Sequence, residues 1–438
     1  MLTRARAGAC VTALALAAIA WGTLTPAAGG NPNPPAWCLR CGDVSGIDFG
    51  LNVLLFIPVG IGLRLSGASF PRVLLVSTAV TLAVEIIQWQ AAIGRVASFS
   101  DLTANVLGAA VGMALAERGG ELVLARSAAA RTLARGTLVG WFMIQLLTAW
   151  EFVPSLTQSA YWAQIAADLG HFERFSGHVL MATIADVPIT NGRMKNNELV
   201  GRLFKGDARV AASVIPGAPT RAVAPIVSVF DGEQREIMLL GQEGEDLVFR
   251  LRTHATDARF RTPTISLFGV FPPIGHGAVE GGRDTLLVSG WRKGWRLTVS
   301  ASSRKSSRSR SAMLLPSYGW ALVLPFEHTW TAMSGRFTAA WMALLLFPAG
   351  YWGARGLSSA PGVPEAGEAP VAGLRVMTLV GFALLVLVAG LVGLPLILGL
   401  TPAGWWQWGG ALAGIASGLA VGFLSWLAGR SRSHRIPA

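Results

Sequence analysis

The chain has 438 residues, 52% hydrophobic and 14% charged, with a formal net charge of +12 and a mean hydropathy of +0.50. That balance excludes an ordinary soluble domain, whose charged share is about a quarter, and a disordered chain, which is polar and poor in apolar residues. The excess of positive charge sits in arginines beside apolar runs, so it speaks of membrane topology rather than of nucleic-acid binding.

Eight apolar runs approach the roughly 20 residues that cross a bilayer: 8–25, 49–65, 73–93, 102–116, 136–152, 337–351, 376–400 and 405–428. The first follows Arg4 and Arg6 and reads either as a retained helix or as a signal peptide; the multi-spanning body favours the helix. Short-loop arginines set the orientation. With the N-terminus inside, Arg4, Arg6, Arg64, Arg72, Arg118, Arg126, Arg131, Arg135, Arg355, Arg375, Arg430, Arg432 and Arg435 are cytoplasmic, while only Arg40, Arg95 and Arg336 are external. Both termini are then cytoplasmic, and the polar middle of the chain is exported.

Before the second run stands "CLRC", with Cys38 and Cys41. On the external side it reads as a short disulfide, as two free thiols, or as a metal or redox pair. The second, third and fourth runs carry Asp48 and Asn52, then Glu85 and Gln88, then Asp101 and Asn105, with Arg95 and Ser98 in the connection. Spacings of i,i+4 and i,i+3 put each pair on one helix face, and all lie toward the external end. Ionisable groups in membrane helices are costly and tend to mark a functional path; helix-to-helix adhesion is the competing reading.

Residues 154–310 differ in character. Stretches such as "HVLMATI", "APIVSVFDGEQREIMLLGQEGEDLVFRLRT" and "WRLTVSAS" alternate or are β-branched and are broken by turn residues, with turns expected at Asp231-Gly232 and at Gly241-Gln242-Glu243-Gly244. Many short strands at this spacing predict an antiparallel sandwich or barrel. Trp291 and Trp295 flank a Lys-Gly turn and read as a glycan-stacking platform or as core. The basic run "SSRKSSRSRS" reads as a juxtamembrane linker, touching anionic headgroups or merely solvated. The apolar segment after it, broken by Pro316, reads as interfacial or re-entrant. The expected domains are therefore 1–152 (helical), 153–311 (exported β-sandwich), 312–335 (interfacial) and 336–438 (helical).

"DFGLNVLLFIPVGIGLRL", "VEIIQWQ" and "GRVASFSDLTANVLGAAVG" resemble the VanZ-like family of bacterial membrane proteins. The family's polar and glycine positions fall on Asp48, Asn52, Pro58, Gly60, Glu85, Gln88, Arg95, Ser98, Asp101, Asn105 and Gly108. The resemblance implies a multi-pass protein of the bacterial inner membrane. It also suggests a link to glycopeptide susceptibility, because the founding member is associated with reduced susceptibility to teicoplanin, but it implies no defined reaction. The exported segment resembles, more weakly, a concanavalin A-like (laminin-G-like) jelly roll, a fold often used for carbohydrate or protein recognition.

Six histidines are dispersed, and neither a metalloprotease helix, a nucleophile elbow nor a phosphate loop is present. The expectation is a polytopic α-helical membrane protein of about eight spans with an exported antiparallel β-sandwich, with no cofactor, no metal and no nucleic-acid partner. Its expected partners are membrane lipid and, through the β-sandwich, an envelope glycan, glycolipid or surface protein. A membrane enzyme using Glu85 or Asp101 as acid/base and Arg95 as anion holder is the alternative.

Overall fold

A computed structural model describes residues 2–25, 45–91, 98–125, 127–157, 159–167, 172–271, 285–324, 330–331, 333–357 and 368–433. Cys38, Cys41 and Arg95 lie outside the described residues. The chain forms two compact units, Met1–Ala130 and Arg131–Ala438.

The first unit is a bundle of α1 (Leu2–Leu24), α2 (Ser45–Leu65), α3 (Phe70–Ala91) and α4 (Phe99–Val123). Glycine governs its packing. A Cβ on Gly60 would overlap the carbonyl of Ala109, one on Gly108 that of Val53, and one on Gly112 that of Ile57. Helices that approach so closely gain dispersion contacts that lipid chains cannot replace. Helix α1 is part of the bundle: Ala15 and Ile19 share a core with Phe56 and Val59 of α2, and a Cβ on Gly62 would come within 2.7 Å of the Thr12 nitrogen. At one end, Arg64 of α2 pairs with Glu117 of α4 (Nε to Oε1, 2.8 Å).

The second unit takes in α5 (Ser127–Glu151) from Arg131 on and continues through β1 (Tyr161–Ile165), β2 (His178–Ile184), β3 (Val187–Pro188), β4 (Gly192–Arg193), α6 (Glu198–Lys205), β5 (Arg209–Ile215) and β6 (Ala224–Asp231). There follow β7 (Glu236–Glu243), β8 (Asp246–Leu251), α7 (His254–Asp257), β9 (Thr264–Leu267), β10 (Leu286–Lys293), β11 (Arg296–Ser302) and β12 (Ser307–Met313). The chain then enters α8 (Gly319–Val323), α9 (Met333–Leu357), α10 (Glu368–Val388), α11 (Leu394–Ile397) and α12 (Trp405–Ser433). The strands make two six-stranded sheets, in the orders β4-β1-β6-β7-β8-β9 and β12-β11-β10-β5-β2-β3, with antiparallel pairing throughout. Between them lies one apolar core that includes Ile184, Val210, Ile226, Leu240, Phe249, Val288 and Val299. The expected sandwich is the architecture observed.

Three details of the sequence reading change. The Ser/Arg run is no linker: it forms the β11–β12 hairpin and the edge strand β12. Its period-two alternation sends Ser307, Ser309 and Ser311 to one face and Arg308 and Arg310 to the other. There Arg308 donates to the Phe268 carbonyl (2.8 Å), and Arg310 lies 4.3 Å over the Phe268 ring, so the two arginines clasp one sheet to the other. The segment after it is protein-covered: Leu314, Trp320 and Leu322 belong to the sandwich core. Finally, Gly241 and Gln242 sit inside β7 rather than in a turn, because buried Gln242 donates to the carbonyls of Ala218 (3.1 Å) and Gly244 (2.7 Å).

In the C-terminal bundle, Leu138 and Trp141 of α5, Met342 and Leu346 of α9, Leu387 of α10 and Ala411 of α12 share a core. A ladder of Gly410, Gly414, Gly418 and Gly422 lets α12 lie on the carbonyls of Ala339, Ala343, Phe347 and Tyr351. Among the described residues, seven helices are long and apolar enough to cross a membrane. The expected fifth span, α5, has the length but is too polar for that set. Its Gln145 and Thr148 are each only 3% exposed, so this polarity faces protein.

Candidate functional site

Of the residues singled out in the first unit, the structure joins Glu85, Ser98 and Asp101. Glu85 Oε2 accepts from the Ser98 backbone N–H (2.8 Å). Ser98 is the N-cap of α4, its hydroxyl accepting from the Ser100 N–H (3.1 Å), which satisfies a donor that a helix start otherwise leaves open. Ser100 Oγ reaches Asp101 Oδ1 at 3.5 Å, and the Asp101 carboxylate is within electrostatic reach of Glu85. Gln88 turns elsewhere, donating to the Thr23 carbonyl of α1 (2.9 Å).

Asp48 and Asn52 reach the same level by helix register. Val53 beside Gly108 and Ile57 beside Gly112 make α2 and α4 parallel, and continuing that register one turn brings Asp48 and Asn52 level with Asp101 and Asn105. Glu85 is 2% exposed, Gln88 5%, Ser98 2% and Asn105 4%, whereas Asp48 is exposed. The amide oxygen of Asn105 is buried without a hydrogen-bond partner among the described residues. This arrangement binds α1, α3 and α4 together; of its members Asp48 is exposed and Asn52, Ser100 and Asp101 are partly exposed.

The second unit holds a different feature. On the face of the second sheet turned away from the core, register aligns Thr183, Ala211, Ser289, Ser300 and Ser309 in one row across five strands. A flanking row carries Met181, Ser213, Leu287, Ser302 and Ser307, and on the other side Arg209, Trp291, Thr298 and Ser311 are aligned. Small floor residues sink between larger neighbours: Ala211 is 7% exposed and Ser289 5%, but Met181 is 55% and Leu287 47%. The hydroxyls pair, Ser289 with Ser300 at 2.8 Å and Thr298 with Ser311 at 2.9 Å. The result is a shallow trough crossing the strands, floored by small side chains and flanked by Trp291 and by apolar side chains, with hydroxyls recurring at the ~4.8 Å strand spacing.

Trp295 does not join Trp291 there. Its indole N–H donates to the Leu398 carbonyl just after α11 (2.9 Å), with the Arg292 guanidinium 5.8 Å from its ring. Arg292, on the core side of β10 and 3% exposed, donates to the carbonyls of Phe152 (2.9 Å) and Gly294 (2.6 Å); burial pushes its pKa down to about 10. Together they seat the β10–β11 turn on the ends of α5 and α11. Sequence reasoning did not find the hydroxyl rows, although the alternation in "LTVSAS" and "SRSRS" contains them.

Asp231, expected as a turn former, accepts from the backbone N–H groups of Glu233 and Arg235 (both 2.9 Å) and from Arg235 Nε (2.8 Å). Burial opposes its ionisation, but these donors outweigh burial and hold the carboxyl below its ordinary range.

Helices of this length and apolarity, joined to a β-sandwich, define a multi-pass membrane protein. Residues 19–122, roughly a quarter of the chain, match the family model described as VanZ/LLP1; the match takes in the end of α1 and helices α2–α4. No curated protein and no solved structure gives a significant match to the chain.

Proposed function

We propose that this protein is a receptor of the bacterial cell envelope, binding an envelope glycan or glycolipid through the outer face of the second sheet. The observation that carries this reading is the trough around Trp291. Sugars present hydroxyl edges and apolar ring faces, and the trough offers both complements, paired hydroxyls and an indole face. The seating of the β10–β11 turn by Trp295 and Arg292 supports a ligand held close to the membrane, because the Trp291 row is next to that turn. The arginine distribution supports an exported sandwich with both termini cytoplasmic and α5 as the fifth of eight spans. A link to glycopeptide susceptibility rests on the family resemblance.

The enzyme reading has less support. Glu85 is buried and accepts the Ser98 N–H, which suits a structural acceptor better than an acid/base group open to substrate. To test the binding reading, purified full-length protein in nanodiscs is screened on an array of bacterial envelope oligosaccharides and lipid-linked glycans. Saturable binding to a defined subset is expected; uniform absence of binding overturns the proposal.

A further inference from the structure

A cleft of about 480 Å³ opens where the two sheets part, lined by Ile165 and Ala166 from the end of β1 and by Arg174, Ser176, His178 and Val179 at the start of β2. It is separate from the trough. Among the described residues, its lining holds one cation and one imidazole and no acidic residue. Glu173, next to Arg174 in the chain, is engaged elsewhere, its Oε2 accepting the backbone N–H groups of Arg221 (2.7 Å) and Ala222 (3.0 Å). Among the described residues, the lining of the cleft therefore gives Arg174 no carboxylate partner.

The described β2 side of the cleft is tied to its neighbours. The Glu173 N–H donates to the Val223 carbonyl (3.0 Å), the Ser176 hydroxyl donates to Ala218 (3.1 Å), and Gly177 is pressed against the Ile215 carbonyl so closely that no Cβ would fit. At its wall Ala166 holds a left-handed backbone (φ 48°), a conformation that costs a non-glycine residue energy and recurs at binding sites. A preformed pocket pays little ordering entropy on binding, and its volume is within the roughly 300–1,000 Å³ of small-molecule sites.

We propose that this cleft is a second binding site, taking a sugar that carries a carboxylate or a phosphate. Arg174 engages the anion through its planar fork of donors, His178 supplies a further hydrogen bond, and Ile165, Ala166 and Val179 contact the ring. The proposal does not depend on glycan binding at the trough.

The test uses full-length protein in phosphatidylcholine nanodiscs, titrated with glucuronate, with glucose 6-phosphate, and with glucose as the uncharged control, followed by ligand-observed NMR. At least one of the two anionic sugars is expected to bind at least tenfold more tightly than glucose. Arg174→Ala should remove that margin, Arg174→Lys should restore part of it, and Trp291→Ala should leave it intact. A thermal melt equal to wild type confirms that Arg174→Ala is folded. Equal affinity for glucose and both anions, or anion binding unchanged in Arg174→Ala, overturns the assignment. Which anion binds identifies the charged group as sugar acid or sugar phosphate.

Discussion

Glu85 on α3 accepts the backbone N–H of Ser98, the cap of α4, at 2.8 Å. One carboxylate thereby fixes where the next helix begins, and this gives a physical reason for the Glu-x-x-Gln and Ser-x-x-Asp spacing of the VanZ-like pattern: one member closes the helix start, and Gln88 ties the same turn to α1. Glu85→Ala should lower the stability of the bundle by about 1–2 kcal/mol, as polar contacts within membranes do at the upper end. Glu85→Gln keeps an acceptor oxygen and should stay close to wild type. Thermal melts in detergent separate the two; equal losses in both would show that the negative charge itself is required.

The contact between α2 and α4 makes a sharper comparison. Gly60→Ala drives a methyl into the Ala109 carbonyl, whereas a Cβ on Gly50 meets nothing within 4 Å. The first substitution should destabilise by about 1–3 kcal/mol through overpacking, and the second should be neutral or slightly stabilising, since alanine is the better helix former by up to about 1 kcal/mol. Folded yield and melting temperature of the two variants check the contrast.

Asp231 makes the stability of the sandwich depend on pH. Its carboxyl is held below the ordinary value of 3.8, so its contribution is fully present above that value and is lost as pH falls through the lower, folded one. Melts of the full-length protein from pH 6 to pH 3 should show the loss only at the acid end. Asp231→Asn should flatten the acid limb while lowering stability at neutral pH.

Arg292 donates to two carbonyls, those of Gly294 and Phe152. Arg292→Met should leave the Phe152 and Gly294 carbonyls short of a donor, at about 1–3 kcal/mol for an unsatisfied buried group. Arg292→Lys should recover part of the loss, because one ammonium does not reproduce the guanidinium fork. Differential scanning calorimetry reads both variants.

Much of this was legible in the chain. Apolar length located the membrane helices, and alternation broken by turn residues located β6, β7 and β8. Composition misled where it overrode period. The serines and arginines of β12 looked like a solvated linker, because nothing local reveals that Arg308 and Arg310 find acceptors on β9 and beyond. Similarly, the polarity of α5 is hidden by helices distant in sequence, and the division of labour between Trp291 and Trp295 is set by which side of β10 meets the helix ends. The Ser98 N–H, a backbone donor, leaves no mark in side-chain identity.

The central claim is that the Trp291 face of the sandwich holds a glycan, and it is tested most directly by the affinity of full-length protein in nanodiscs for the oligosaccharide that binds best in the array, compared between wild type, Trp291→Ala and Ser300→Leu. Trp291→Ala should weaken binding at least about tenfold, equal to 1.4 kcal/mol, and Ser300→Leu should block the trough, with melting temperatures unchanged. Wild-type affinity in both variants would contradict the account.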